Sequence, residues 1–160
     1  MDWTTYYNWQ AQLDEHIIKT QSLEEAEVID DKILALYVEV GELANETRCF
    51  KFWSTKPSSD KKVVLEEYVD GLHFILSLGL DLDFRYESGF LTDISNKTDA
   101  FLNVFTSIEQ FKHERNKSSY EQMFEAYLIL GQSLGIAESE LKKAYEYKNQ
   151  INFQRQNQGY

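Results

Sequence analysis

The sequence predicts an all-α protein, and three observations carry the prediction. A single proline, Pro57, stands among 160 residues. Apolar residues recur at three- and four-residue intervals over long stretches, as they do on the buried stripe of an amphipathic helix. Alternating apolar and polar runs bounded by turn dipeptides, the mark of strands, are missing. The length suits one domain, 1–160, with a sizeable core.

The elements follow in order. A first helix covers about Asp2 to Thr20, with Trp3, Tyr6, Leu13 and Ile17 on one side. A second begins near Ser22, where Ser22-Leu23-Glu24-Glu25 reads as a capping box. It continues through Ile29, Ile33, Leu36, Val40, Leu43 and Ala44 at helical spacing. The run Lys56-Pro57-Ser58-Ser59-Asp60 is the clearest break and folds the second and third helices into an antiparallel hairpin. The third helix runs from about Asp60 to Leu78, with a stop near Gly79. Residues 81–117 are less regular, interrupted by Gly89, Asp93, Ser95, Asn96 and the run Lys112 to Lys117, around a helix from Asp99 to Phe111. Tyr120 to Leu134 is again amphipathic and closed by Gly135. The last helix, about Ser139 to Phe153, ends in a polar tail.

Composition narrows the function. A net charge of −11 is a poor basis for gripping nucleic acid, which needs basic surface against phosphates. It still admits a small phosphate-bearing ligand, because bound magnesium inverts the local charge. No apolar run is long enough to span a membrane. Met1-Asp2-Trp3-Thr4 lacks the pattern of a signal peptide. A lone cysteine, Cys49, leaves no intrachain disulfide, and a cytoplasmic location is expected.

Two acidic motifs carry the chemistry: Glu39-Val40-Gly41-Glu42 and Glu67-Tyr68-Val69-Asp70. Each sets two carboxylates three residues apart, on one helix face. With the second helix ending near Phe50 and the third starting near Asp60, Glu42 lies about 12 Å and Glu67 about 10 Å from the turn, at roughly 1.5 Å per residue. The two pairs sit at similar depth and can face each other. Four converging carboxylates raise one another's pKa, and a divalent cation relieves them; oxygen-only ligands suit magnesium. The plainer reading is a solvated face, since helices are rich in glutamate. Apolar neighbours and few nearby lysines favour the metal, because burying unpaired carboxylates is costly.

These residues resemble a known family. Glu-x-x-Glu followed by Glu-x-x-Asp on the next helix is similar to the all-α nucleotide pyrophosphohydrolases, and more closely to the dimeric dUTPases of bacteria and their phages. Gln10-Ala11-Gln12-Leu13-Asp14 resembles the family's first motif. Glu39 to Glu46 looks like its first metal motif, Phe50-Lys51-Phe52-Trp53-Ser54 like its Lys-x-Trp element, and Glu67 to Phe74 like its second metal motif. Tyr147 to Tyr160 resembles its C-terminal motif. Five motifs in the right order are far more specific than any one.

The resemblance implies an all-α bundle that dimerises and hydrolyses dUTP, and dUDP, to dUMP, keeping uracil out of DNA. Glu39, Glu42, Glu67 and Asp70 would bind two or more magnesium ions, with Glu42 accepting a proton from the attacking water. Trp53 would stack on uracil, or else be a core tryptophan. Lys51 would contact the nucleotide. Gln10 and Asp14 would read the base, or else lie on the surface of the first helix. Lys148, Asn152 and Arg155 share one face of the last helix, facing either phosphate and base or solvent. Tyr160 would fold over the site or stay disordered. His73 reads as a packed or hydrogen-bonded histidine, and Phe74 as a sugar or core contact. A broader nucleoside triphosphate pyrophosphohydrolase of the same fold is the nearest alternative. Some phage members carry a variable insert, matched here to about 81–117, that binds a pathogenicity-island repressor.

Overall fold

The computed structural model describes residues 1–23, 28–89 and 96–159. The described residues form six helices and no strand: α1 (Trp3–Gln21), α2 (Ile29–Thr47), α3 (Lys61–Asp81), α4 (Lys97–Glu114), α5 (Lys117–Ser133) and α6 (Glu138–Asn157). Two hairpins dominate the packing, α2 on α3 and α4 on α5. Helix α1 lies against α3 and α6, and α3 also packs on α5 and α6. Helix α3 is therefore central, and its face from Tyr68 to Gly79 is almost continuously buried. The all-α expectation and the hairpin around Pro57 hold.

Several boundaries differ from the sequence reading, each for a local reason. Ser22 does not open α2; it closes α1, with a left-handed backbone (φ 54°) and its N–H donating to the Ile18 carbonyl. The remainder of the expected capping box, Glu24 and Glu25, lies outside the described residues. Helix α2 ends at Thr47 because Arg48 turns left-handed (φ 57°) and its N–H donates to the Ala44 carbonyl. Gly79 does not stop α3. It is buried inside the helix because a Cβ there would stand 2.2 Å from the Tyr120 hydroxyl. The run Lys112 to Lys117 holds both the end of α4 and the start of α5, whose N-cap Asn116 accepts from the Ser119 N–H. Within 81–117, α4 is no appendage: Ala100, Phe101, Val104, Ile108 and Phe111 are core residues.

Tyrosines stitch this core together. Tyr68 of α3 and Tyr127 of α5 stack at 4.5 Å between centroids. Each hydroxyl donates to the other's backbone carbonyl, at 3.0 and 2.8 Å. Both glycines opposite make room, since a Cβ on Gly71 would lie 2.2 Å from the Tyr127 hydroxyl and one on Gly131 would lie 2.5 Å from that of Tyr68. A second chain runs from the Tyr86 N–H to the Tyr7 hydroxyl, on to the Tyr120 hydroxyl, and ends on the Ile75 carbonyl. It ties α1 and α5 to α3 and to the segment after it.

Replacing Gly71 by Ala forces Tyr127 off its carbonyl and should cost about 1–3 kcal/mol, as overpacking does. Gly41 lies in the open with nothing within 4 Å of a built Cβ. Gly41→Ala should gain up to about 1 kcal/mol from helix propensity. Thermal melts of the two variants should therefore move in opposite directions.

Candidate active site

The hairpin brings three of the four motif carboxylates together. One oxygen from each of Glu39, Glu67 and Asp70 lies within 4.8 Å of the others, and all three residues are half-buried. Glu42 is one turn along α2 and exposed, outside this triad, although its charge still acts on Glu39 and Glu67. Burial first, then the charges of Asp70, Glu42 and Glu67, pushes the Glu39 carboxyl from its ordinary 4.5 up to about 7. Burial likewise raises Glu67, with Asp70 and Glu42 adding to it.

A cation is built in beside the triad. Lys148 of α6 is 7% exposed, and its Nζ donates to Asp70 at 2.7 Å and to Glu66 at 2.8 Å. Burial would lower its ammonium's pKa, but the hydrogen bonds to Asp70 and Glu66 hold it above the ordinary value. Burial pushes Asp70 up and outweighs the lysine beside it. Lys148 therefore stands beside the triad rather than in solvent, with carboxylates as its partners. Glu66, the residue before the second acidic motif, anchors Lys148.

From Glu39 and Asp70 a cavity of about 380 Å³ opens between α1, α2, α3 and α6. Leu13, Ile17, Ile18 and Phe74 give it apolar walls, while Gln10, Asp14, Lys32, His73 and Ser77 supply polar groups. Asn152 and Arg155 line it from α6. Seven residues separate Glu39 from Lys32 on α2, and Asp70 from Ser77 on α3. At roughly 1.5 Å per residue the acidic end stands about 10 Å from the polar end. That suits a nucleotide held by its phosphates at one end and its base at the other.

The polar end is a connected network. Gln10 Nε2 donates to Asp14 Oδ1 at 2.7 Å, and the Ser77 hydroxyl donates to Asp14 Oδ2 at 2.7 Å. Gln10 Oε1 accepts from the Tyr145 hydroxyl and bonds to His73 Nδ1 at 2.6 Å. Lys32 pairs with Asp81 at 2.6 Å and also acts on Asp14, whose carboxyl burial pushes up. Gln10 and Asp14 are thus removed from the surface. Lys32, Ser77 and Tyr145 escaped the sequence reading, whereas His73 is the packed, hydrogen-bonded histidine it was read as. Each is a single residue whose partners are distant in sequence, so no local motif marks it.

The loop from Lys51 to Trp53 is not brought into this cavity. Phe52 is 92% and Trp53 65% exposed, in an aromatic cluster with Phe50. The Lys51 ammonium sits 5.5 Å from the Phe50 ring centroid. Tyr160 lies outside the described residues.

A family model described as dUTPase matches residues 2–160. The chain belongs to the dUTPase family. With that membership comes dUTP diphosphatase activity, and the all-helical architecture agrees with it. No curated protein matches the chain. No helix among the described residues is long and apolar enough to cross a membrane.

Without a cation, the folded enzyme keeps a proton on Glu39 up to about pH 7, whereas the unfolded chain releases it near 4.5. The folded state then binds more protons between those values, so stability falls as pH rises through that window. Melting temperatures from pH 5 to 7.5 should show a smaller fall for Glu39→Gln than for wild type. Saturating magnesium should flatten the wild-type curve. Equal slopes in all three would refute the coupling.

Proposed function

We propose that this dUTPase hydrolyses dUTP and dUDP to dUMP with magnesium, in the cavity that joins the carboxylate triad to the Gln10–Asp14 network. One observation carries the reading: an acidic cluster and a hydrogen-bonded polar cluster around Gln10 and Asp14 share one cavity, about a nucleotide's length apart. The triad fits the metal. Its ligands are hard carboxylate oxygens, close enough to share ions, and burial and mutual repulsion make them costly to ionise unaided. Bound magnesium supplies positive charge to the phosphate chain and to the phosphoryl group in transfer.

The protein's own groups divide the remaining work. Glu39, Glu67 and Asp70 hold the metal. Glu42, beside them and solvent-facing, takes the proton from the attacking water. Lys148 and Arg155 donate to phosphate oxygens, arginine through its fork. Lys148 is already held beside Asp70, so little motion aims it. Gln10, Asp14 and Asn152 provide the mixed donors and acceptors that uracil's edge requires. Phe74 packs along the sugar. Trp53 stacks on the base, Lys51 assists it, and their exposed aromatic loop gains cover in the ligand complex or the homodimer.

Residues 81–117 carry the second role that the resemblance implies, binding a pathogenicity-island repressor. The outer side of α4 supports it, with Leu102 left 60% exposed. Because α4 builds the core, point substitutions such as Leu102→Ser test this role better than deletion. Repressor capture should weaken at least tenfold with hydrolysis unchanged, and unchanged capture would remove Leu102 from that surface.

Glu67→Gln and Asp70→Asn should each lower magnesium-dependent dUTP hydrolysis by at least a hundredfold, with helical circular dichroism retained. Activity surviving both would sink the metal assignment. Turnover of dUTP, dCTP and dTTP at equal rates would favour the broader pyrophosphohydrolase instead. Trp53→Ala should weaken dUTP binding and leave magnesium binding intact.

A further inference from the structure

Lys148 is held by two carboxylates, and only one of them belongs to the triad. Its Nζ donates to Asp70 at 2.7 Å and to Glu66 at 2.8 Å, while the converging group is Glu39, Glu67 and Asp70. Glu66 and Asp70 stand four residues apart on α3, so they share a face of that helix. Helix α6 lays the ammonium across both. The surroundings of the two partners differ. The Glu66 side chain is 48% exposed and the Asp70 side chain 19%. Asp70 lines the cavity that opens from the triad, whereas Glu66 and Lys148 line a second cavity of about 440 Å³ between α3 and α6.

This arrangement sets up a competition. A divalent cation taken up at Asp70 brings a larger positive charge to a carboxylate whose Oδ2 already holds an ammonium, and the two cations repel. A buried ammonium is costly to leave unpaired. Glu66 removes that cost, because its bond to Lys148 is already made and the second cavity leaves room on its side. We propose that Lys148 is a built-in stand-in for the cation at Asp70 and that Glu66 is its positioning residue: when Asp70 takes a divalent cation, Lys148 lets go of Asp70 and stays on Glu66. The inference rests on the magnesium reading of the triad. Lys148 is thereby kept beside the loaded site rather than released to solvent.

Magnesium affinity, read by calorimetry without nucleotide, tests this in wild type, Glu66→Gln, Lys148→Met and the double variant. Lys148→Met removes the competitor and should bind magnesium about tenfold tighter than wild type. Glu66→Gln takes away the carboxylate to which Lys148 retreats and should bind about tenfold more weakly. In the Lys148→Met background, the same Glu66→Gln change should shift affinity by less than about twofold. Equal weakening by Glu66→Gln in both backgrounds would mean that Glu66 acts through its own charge, and would overturn the proposal. So would an unchanged affinity in either single variant. Should a variant fail to fold, wild type decides, by NMR couplings across the hydrogen bonds from the Lys148 ammonium nitrogen to the Asp70 and Glu66 carboxyl carbons. Adding magnesium should remove the Asp70 coupling and keep that to Glu66. A retained Asp70 coupling in the loaded protein, or loss of both, would refute the exchange. If wild type binds no magnesium, the metal reading fails and this proposal falls with it. Magnesium binding with unchanged couplings overturns the proposal alone.

Discussion

Like charges held together are the constraint on which this fold turns. Glu39, Glu67 and Asp70 come within 4.8 Å of one another on two helices of a single hairpin. Without cations the ionised forms repel, and burial adds to the cost. Something must hold α2 and α3 together against that repulsion. The apolar seam does so in part, with Leu36, Val40, Leu43, Val69, Leu72 and Leu76 all fully buried. Behind α3, the paired hydrogen bonds of Tyr68 and Tyr127 clamp the turn between Glu67 and Asp70 to α5. In front, Lys148 brings a positive charge from α6 onto Asp70. The carboxylate triad is thus fixed from three directions, by an apolar seam, a tyrosine clamp and a lysine.

The sequence shows the parts of this arrangement that repeat locally. Helical spacing of apolar residues, the break around Pro57 and the two Glu-x-x-acid motifs each lie within one element or one turn. They were enough to place the hairpin and to bring Glu39, Glu67 and Asp70 together. Glu42 came out differently because three residues of separation put it on the same broad face as Glu39 without giving it the same burial; Glu39 points into the helix seam and Glu42 toward solvent. Helix ends were less legible. Ser22, Arg48 and Arg115 end helices in the left-handed conformation without being glycine, while Gly79, which looks like a terminator, is internal.

What local reading misses is whatever depends on partners far along the chain. Gln10 meets His73 and Tyr145 across 63 and 135 residues, and Lys148 meets Glu66 across 82. In sequence, Gln10 is a polar residue on an amphipathic helix, and its burial becomes apparent only when α3 and α6 supply its partners. The tyrosines hide for the same reason. A buried tyrosine counts as apolar in a periodicity argument, yet its hydroxyl needs an acceptor, and here the acceptors are carbonyls in other helices. Glycines that seem to weaken α3 and α5 are the complement of those hydroxyls.

Polar groups buried in a helical core are tolerated when every donor and acceptor is matched, and costly when one is not. The network behind the cavity shows how unevenly that rule is applied. Asp14 receives Gln10 and Ser77, and Gln10 receives Tyr145 and His73, so the network is closed on its protein side. It opens at one nitrogen, His73 Nε2. Ser77, one turn beyond His73 on α3, does not serve it, because its hydroxyl is committed to Asp14. Buried atoms without a partner occur elsewhere among the described residues too, at the Tyr6 hydroxyl, His16 Nε2 and Asn149 Oδ1. Gln10 and Asp14 are thus held by partners from α3 and α6 as well as by each other, and His73 Nε2 is the buried exception. The triad is matched less completely at the other end: Lys148 satisfies part of Asp70, while burial and mutual repulsion still raise Glu39 and Glu67. The two ends of the cavity are therefore held by opposite means, one by matched hydrogen bonds and the other by packing and a single lysine against like charges.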